Sequence, residues 1–250
     1  MGEHTGQLKY RDPPIVEAIC EFRFSKETNW DPTIPGLVYD KVKNQFPNKE
    51  TKVGQEIELK ADDSEFRQSI ASAQRFVMLS EDRKSLIQIG RNLLSINHLK
   101  PYPGWEHFKP KIKLAYETLS GVTQIKGIDR IALVYIDKIE IPSQRIKLED
   151  YFKFYPFLGP DFPPTFNFIA GCDFLFQNER DVCRLQLTSA MPPNKENTAV
   201  ILSTEYFLAK KESINPENAI GWIDEAHIIV RDLFKNSITE RLEELFGRVE

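Results

Sequence analysis

The chain has 250 residues and a formal charge of −4, with 33 basic against 37 acidic side chains, so no global field draws it to nucleic acid. Its 41% apolar and 28% charged residues are those of an ordinary globular chain, long enough to bury a large core as one domain. No run approaches the roughly 20 apolar residues of a membrane span, and three cysteines without C-x-x-C spacing exclude a disulfide scaffold.

The first element is announced by Pro13-Pro14, which bias the chain toward extended conformations. Beyond them Val16, Ala18, Cys20, Phe22 and Phe24 share one parity, while Ile15, Glu17, Ile19, Glu21 and Arg23 share the other. That period of two is the pattern of a half-buried strand. Asp31-Pro32 and Pro35-Gly36 interrupt it, and Leu37, Val38, Val42 and Phe46 predict a short helix that stops before Pro47. Strands are predicted over residues 56–60, 75–80, 85–89 and 93–99, with Glu81-Asp82-Arg83 and Gly90-Arg91-Asn92 as hairpin turns. Residues 105–119 place Trp105, Phe108, Ile112, Ala115, Tyr116 and Leu119 at helical spacing, and Gly121 closes the helix.

The second half repeats this order. Residues 130–141, R-I-A-L-V-Y-I-D-K-I-E-I, predict a long strand, and 148–152 a helical turn. Further strands are predicted over 165–177, 182–190 and 198–208. Asn215-Pro216-Glu217 is a helix start, and an apolar stripe then runs from Ala219 to Leu245. The shared β-α-β(3–4)-α order predicts an α+β fold built by duplication, with halves at about 10–124 and 125–248. About eight or nine strands would form one curved antiparallel sheet with the long helices on one face.

Signatures of chemistry are missing. The sequence contains no G-x-S-x-G, no G-x-x-x-x-G-K and no G-x-G-x-x-G. The four histidines, His4, His98, His107 and His227, include no H-x-x-x-H pair. No cofactor, metal or catalytic residue is therefore expected, and His107 and His227 are expected at helix surfaces or boundaries. Cys20, Cys172 and Cys183 all lie in apolar strand runs, where a free thiol behaves as a small hydrophobe. The N-terminal M-G-E-H-T-G has neither a basic nor an apolar leader region, so the cytoplasm is the expected compartment.

Glu17 and Glu21 share a strand face with Cα atoms about 13 Å apart. Paired glycosidase carboxylates sit about 5–9.5 Å apart, so these two do not form such a pair. On 165–177 the parity Phe166, Phe168, Ala170, Cys172, Phe174, Phe176 reads as core, which turns Asn167 and Asp173 outward. On 182–190 Cys183, Leu185 and Leu187 point inward, and Arg184, Gln186 and Thr188 outward. Glu17, Glu21, Arg23, Asn167, Asp173, Arg184 and Gln186 thus define a mixed-charge candidate binding surface on the open sheet face. A second candidate is the segment 153–164, K-F-Y-P-F-L-G-P-D-F-P-P, where prolines order a lip carrying Tyr155, Phe157 and Phe162. Its alternative is a loop whose aromatics tuck over the core edge.

The run P-P-I-V-E-A at residues 13–18 resembles the N-terminal strand motif of a sporadically distributed prokaryotic family of uncharacterised proteins of about this length. H-I-I-V-R-D-L-F-K-N-S-I-T at 227–239 looks like that family's closing segment. The resemblance implies no activity and no catalytic residue. Patchy distribution implies horizontal transfer, and hence an accessory role in a phage-defence or mobile-element locus. In element order the chain is also similar to TATA-binding-protein-like saddles, whose open face takes the DNA minor groove; here Glu17, Glu21 and Asp173 would repel phosphate. The expected function is a non-enzymatic adaptor engaging a protein partner, with no membrane association. The alternatives are a nucleic-acid-binding saddle using Lys109, Lys111, Lys113 and Arg184, and a small-ligand sensor or enzyme using Glu17.

Overall fold

In the computed structural model, which describes residues 9–62, 65–159, 161–163, 165 and 167–249, the run after Pro13-Pro14 is β2 (Ile15–Phe24), preceded by β1 (Lys9–Tyr10). Then come α1 (Ile34–Val42), β3 (Asn48–Asp62), β4 (Glu65–Leu79), β5 (Ser85–Gly90), β6 (Leu93–Leu99) and α2 (Trp105–Ser120). The remainder is β7 (Ile128–Ile141), β8 (Ile169–Phe176), β9 (Asp181–Ala190), β10 (Thr198–Leu208), α3 (Ala219–Ser237), α4 (Glu240–Leu245) and β11 (Arg248–Val249). A nine-stranded sheet runs in the order β3-β4-β5-β6-β2-β7-β10-β9-β8, and β1 pairs with β11. Every pairing is antiparallel. The protein is therefore α+β, a large open antiparallel sheet with few helices.

Alternation decides which face the helices cover. On β2, Ala18, Cys20, Phe22 and Phe24 are buried. That parity continues through Ile87, Ile89, Leu94 and Ile96 on one side, and through Leu133, Tyr135, Cys183 and Tyr206 on the other. Val38 of α1, Phe108 and Ile112 of α2, and Trp222, Ile223 and Val230 of α3 pack against it. Each such side chain contributes about 1.5–3 kcal/mol by leaving water, so Phe22→Ala at this buried position would cost about 3–5 kcal/mol.

The hairpin β3–β4 is much longer than the strands predicted at 56–60 and 75–80, with a register from Asn48↔Leu79 to Asp62↔Glu65. Polar residues dominate residues 48–62, so the pairing there leaves no apolar alternation to read. The C-terminal stripe is not one helix. It breaks at Ile238, whose backbone is extended at φ −113° and ψ 157°. Ile238-Thr239 are β-branched and of modest helix propensity. The break lets Ile238 bridge to Phe152 and join a second core cluster with Leu185, Leu202 and Leu242.

The core parity expected for 165–177 needs correction. Cys172 is exposed and Phe174 is 38% exposed, because β8 is the last strand of the sheet and α3 packs inboard of it, on β7 and β10. Phe176 and Phe168 keep core contacts, and Phe166 lies outside the described residues. No helix among the described residues is long and apolar enough to cross a membrane.

Candidate functional site

The prolines that start β2 do more than set its register. Pro13, Pro14 and Ile15 form one lip of a cavity of about 370 Å³ between the sheet, the start of α2 and the second half of α3. Tyr135 and Asp137 of β7 and Thr204 of β10 line it from the helix-covered face of the sheet. Small-molecule sites occupy about 300–1,000 Å³ and are mostly apolar with a few convergent polar groups.

Local backbone features shape this space. β2 pairs Ile15 with Asp137 but Glu17 with Ile136, so Val16 is an extra residue in a bulge beside Asp137. The Pro14 carbonyl accepts a hydrogen bond from the Lys138 N–H at 3.0 Å, which fixes the prolines over the cavity. Gly104 turns the chain into α2 at φ 90° and ψ 162°, a region glycine reaches without the Cβ penalty of other residues.

Asp137 and Thr204 are the anomalous groups. Both are 1% exposed, and neither Asp137 Oδ1 nor Thr204 Oγ1 has a hydrogen-bond partner. An unpaired buried polar atom costs about 1–3 kcal/mol, and native proteins leave few of them. Burial pushes the Asp137 carboxyl up to about 8, so it is largely protonated at pH 7. Asp181, also buried, shows the usual solution. It accepts hydrogen bonds from Tyr206 Oη at 3.0 Å, Trp222 Nε1 at 3.0 Å and Arg180 Nη2 at 2.6 Å. Asp137 has no such shell.

The walls are aromatic. Trp105 stacks on His227 with ring centroids 4.1 Å apart and planes at 7°. Tyr135 Oη lies 3.2 Å from His227 Nδ1 and 3.0 Å from Tyr102 Oη. Burial, with Arg231 second, lowers His227 to about 4, so its ring is neutral above pH 5. Whichever tautomer it adopts, Tyr102 keeps hydrogen-bonding capacity for a ligand. Arg231 at the rim donates to Asp232 at 3.1 Å.

The surface expected from the sequence lies on the opposite side of the sheet. Strand register puts Glu17, Glu21, Arg23, Asp173, Arg184 and Gln186 on the helix-free face. These residues bond to one another and to their neighbours. Arg184 donates to Asp173 at 2.8 and 2.7 Å, Arg23 to Glu21 at 2.8 Å, Asn97 to Glu17 at 2.8 Å, and Gln186 to Thr188 at 3.2 Å. Arg130 and Arg184 both cover the Phe207 ring. Such a face is a set of satisfied pairs, and Glu17 does not reach the cavity. Asn167 is exposed ahead of β8 and bonds to Ser189. In the proline segment Phe157 and Phe162 are 81% and 64% exposed, whereas Tyr155 packs on the second core cluster. Lys109, Lys111 and Lys113 belong to α2 on the covered side, so they form no continuous basic surface with Arg184, and Lys109 pairs with Asp224 at 2.7 Å.

One further cluster has the residue types of acyl-transfer chemistry. Lys111 Nζ lies 2.5 Å from Ser85 Oγ, which lies 2.8 Å from His98 Nδ1. Ser85 does not line the cavity and its hydroxyl is held between Lys111 and His98, so the cluster serves packing. The cavity itself was missed by sequence reasoning, although a signal existed. Asp137 shares parity with Leu133, Tyr135, Ile139 and Ile141, and a carboxylate at a core position is an anomaly on sight. His227, expected at a surface or boundary, is half-buried, and its ring lines the cavity wall.

No family model and no curated protein matches the chain. Among solved structures it is similar to the di-domain ARO/CYC StfQ from the steffimycin biosynthetic pathway, at 9% identity and a TM-score of 0.21, over 93% of this chain and 98% of that one. A likeness at that level carries no argument about function.

Proposed function

We propose that the protein binds a small organic molecule in the cavity between its sheet and the helices α2 and α3. The observation that carries this reading is the pair of orphaned atoms, Asp137 Oδ1 and Thr204 Oγ1, beside one aromatic-walled space of about 370 Å³. A ligand that hydrogen-bonds to both would remove a cost of about 1–3 kcal/mol per group. Val230 lines the same space and is 1% exposed, so Val230→Phe fills it from within. Ligand-observed NMR with small amines, alcohols and carboxylates should find binders to the wild type that Val230→Phe loses while its melting temperature holds or rises. Equal binding by both proteins would refute the reading.

The strand order supports a duplicated unit: outward from the central β2–β7 pair lie β6, β5, β4 and the additional β3 on one side and β10, β9 and β8 on the other, the last strand of each half pairing with its first. We read the helix-free face of this arrangement as the inside of a saddle. A protein partner is a second reading, favoured by the edge strand β8, where Ile169 and Leu175 are 71% and 63% exposed. Exposed apolar edge strands are templates for an added strand. A photo-cross-linking residue at position 175 should give one discrete protein adduct in the native host; a smear or no adduct would remove this reading.

A further inference from the structure

We infer that the ligand of this cavity is an organic amine, bound as its ammonium ion against the carboxylate of Asp137 with its apolar body among the aromatic walls. The inference rests on the cavity being a ligand site. Asp137 Oδ1 has no hydrogen-bond partner, and the arginine that lines the cavity, Arg231, is engaged by Asp232. A buried carboxylate without a counter-charge is costly, and a cation delivered by a ligand removes that cost. Tyr10, Tyr102, Trp105, Tyr135 and Phe234 line the same space, and aromatic faces attract ammonium groups. Thr204 Oγ1 and Tyr102 Oη offer acceptors for the remaining N–H groups. A ligand carboxylate placed at this depth would instead put a second acidic group beside Asp137, with the lining Arg231 already paired to Asp232.

The charge of the cavity near neutral pH changes at one group. The titratable side chains around Asp137 are Tyr10 from β1, Tyr102 from the segment before α2, Tyr135 from its own strand, and His227 and Arg231 from α3. β2, β10 and α2 contribute Ile15, Thr204 and Trp105, which do not titrate. Tyr10, beside Glu243 of α4, is pushed up to about 12 by burial, Tyr102 and Tyr135 are raised by burial, and His227 is lowered to about 4. Asp137, at about 8, is the group in between. Ammonium binding must expel its proton, so affinity falls about tenfold per pH unit below 8.

The test is isothermal titration calorimetry of the full chain with three near-isosteric probes, 2-phenylethylamine, 2-phenylethanol and 3-phenylpropanoate. The amine should bind about tenfold or more tighter than the alcohol at pH 7.5, weaken about tenfold between pH 7 and pH 6, and release a proton to buffer. Asp137→Asn should remove both the preference and the pH dependence, and the wild-type pH profile stands even if that variant folds poorly. Alcohol or carboxylate binding as tightly as the amine, and lost in Val230→Phe, overturns the ammonium claim while leaving the cavity a ligand site. Absence of binding by all three probes at millimolar concentration overturns both.

Discussion

Replacing Asp137 by asparagine removes a carboxyl that titrates at about 8 in the folded protein and at about 3.9 in an unfolded chain. Below the lower value both states are protonated, and ionisation costs nothing. Between the two values the unfolded chain gives up the proton while the folded chain holds it. Wild-type stability is therefore lost at about 1.4 kcal/mol per pH unit as pH rises toward 8. At pH 7 the accumulated loss is on the order of 4 kcal/mol. Asparagine has the same shape and does not ionise; its buried amide adds a cost that does not vary with pH. His227 works in the opposite sense. Its contribution is present above the unfolded value of about 6.5 and is lost as pH falls through about 4. The wild-type profile mixes the two slopes, and subtracting the variant isolates Asp137. Urea unfolding followed by circular dichroism at pH 5, 6 and 7 should show the Asp137→Asn advantage growing by about 1.4 kcal/mol per unit. A difference that stays constant over that range would refute the assignment of Asp137 as a buried, unpaired acid.

The opposite result is expected at Asp181, where alanine leaves Arg180, Tyr206 and Trp222 without their acceptor; the urea midpoint should fall by the equivalent of about 3–5 kcal/mol. Native protein treated with a maleimide should take one label, at exposed Cys172, and three after denaturation, because Cys20 and Cys183 are buried with thiols raised by burial; intact mass reads the difference. Leu175→Lys on the exposed edge should change stability by no more than about 0.5 kcal/mol, while removing any adduct captured by a cross-linker placed nearby at Ile169.

Much of the fold was legible because burial writes itself into period-two patterns. Ala18, Cys20, Phe22 and Phe24 declared the covered face of β2, and residues 198–208 matched β10 to the residue. The pattern failed at β8, where the alternation of Phe174 with Asp173 carried no information about a sheet ending there. It failed again at Ile238, since the helical stripe continues through the break while the backbone does not. The candidate site was less legible still. A cavity forms where elements distant in sequence, Pro14, Trp105, Asp137, Thr204 and His227, leave space between them. No local period encodes that space. What a strand can show is a misfit, and Asp137 in I-A-L-V-Y-I-D-K-I-E-I was that misfit.

The central claim is that the cavity, rather than the helix-free face, is where a small molecule binds. Chemical-shift mapping on the labelled protein tests it most directly, with amines and their neutral isosteres added at millimolar concentration. Shifts are expected at the Trp105 indole and at Asp137, Thr204 and His227, with Glu17, Asp173 and Arg184 unmoved. Shifts confined to Glu17, Asp173 and Arg184, or none at the cavity residues for any added compound, would contradict it.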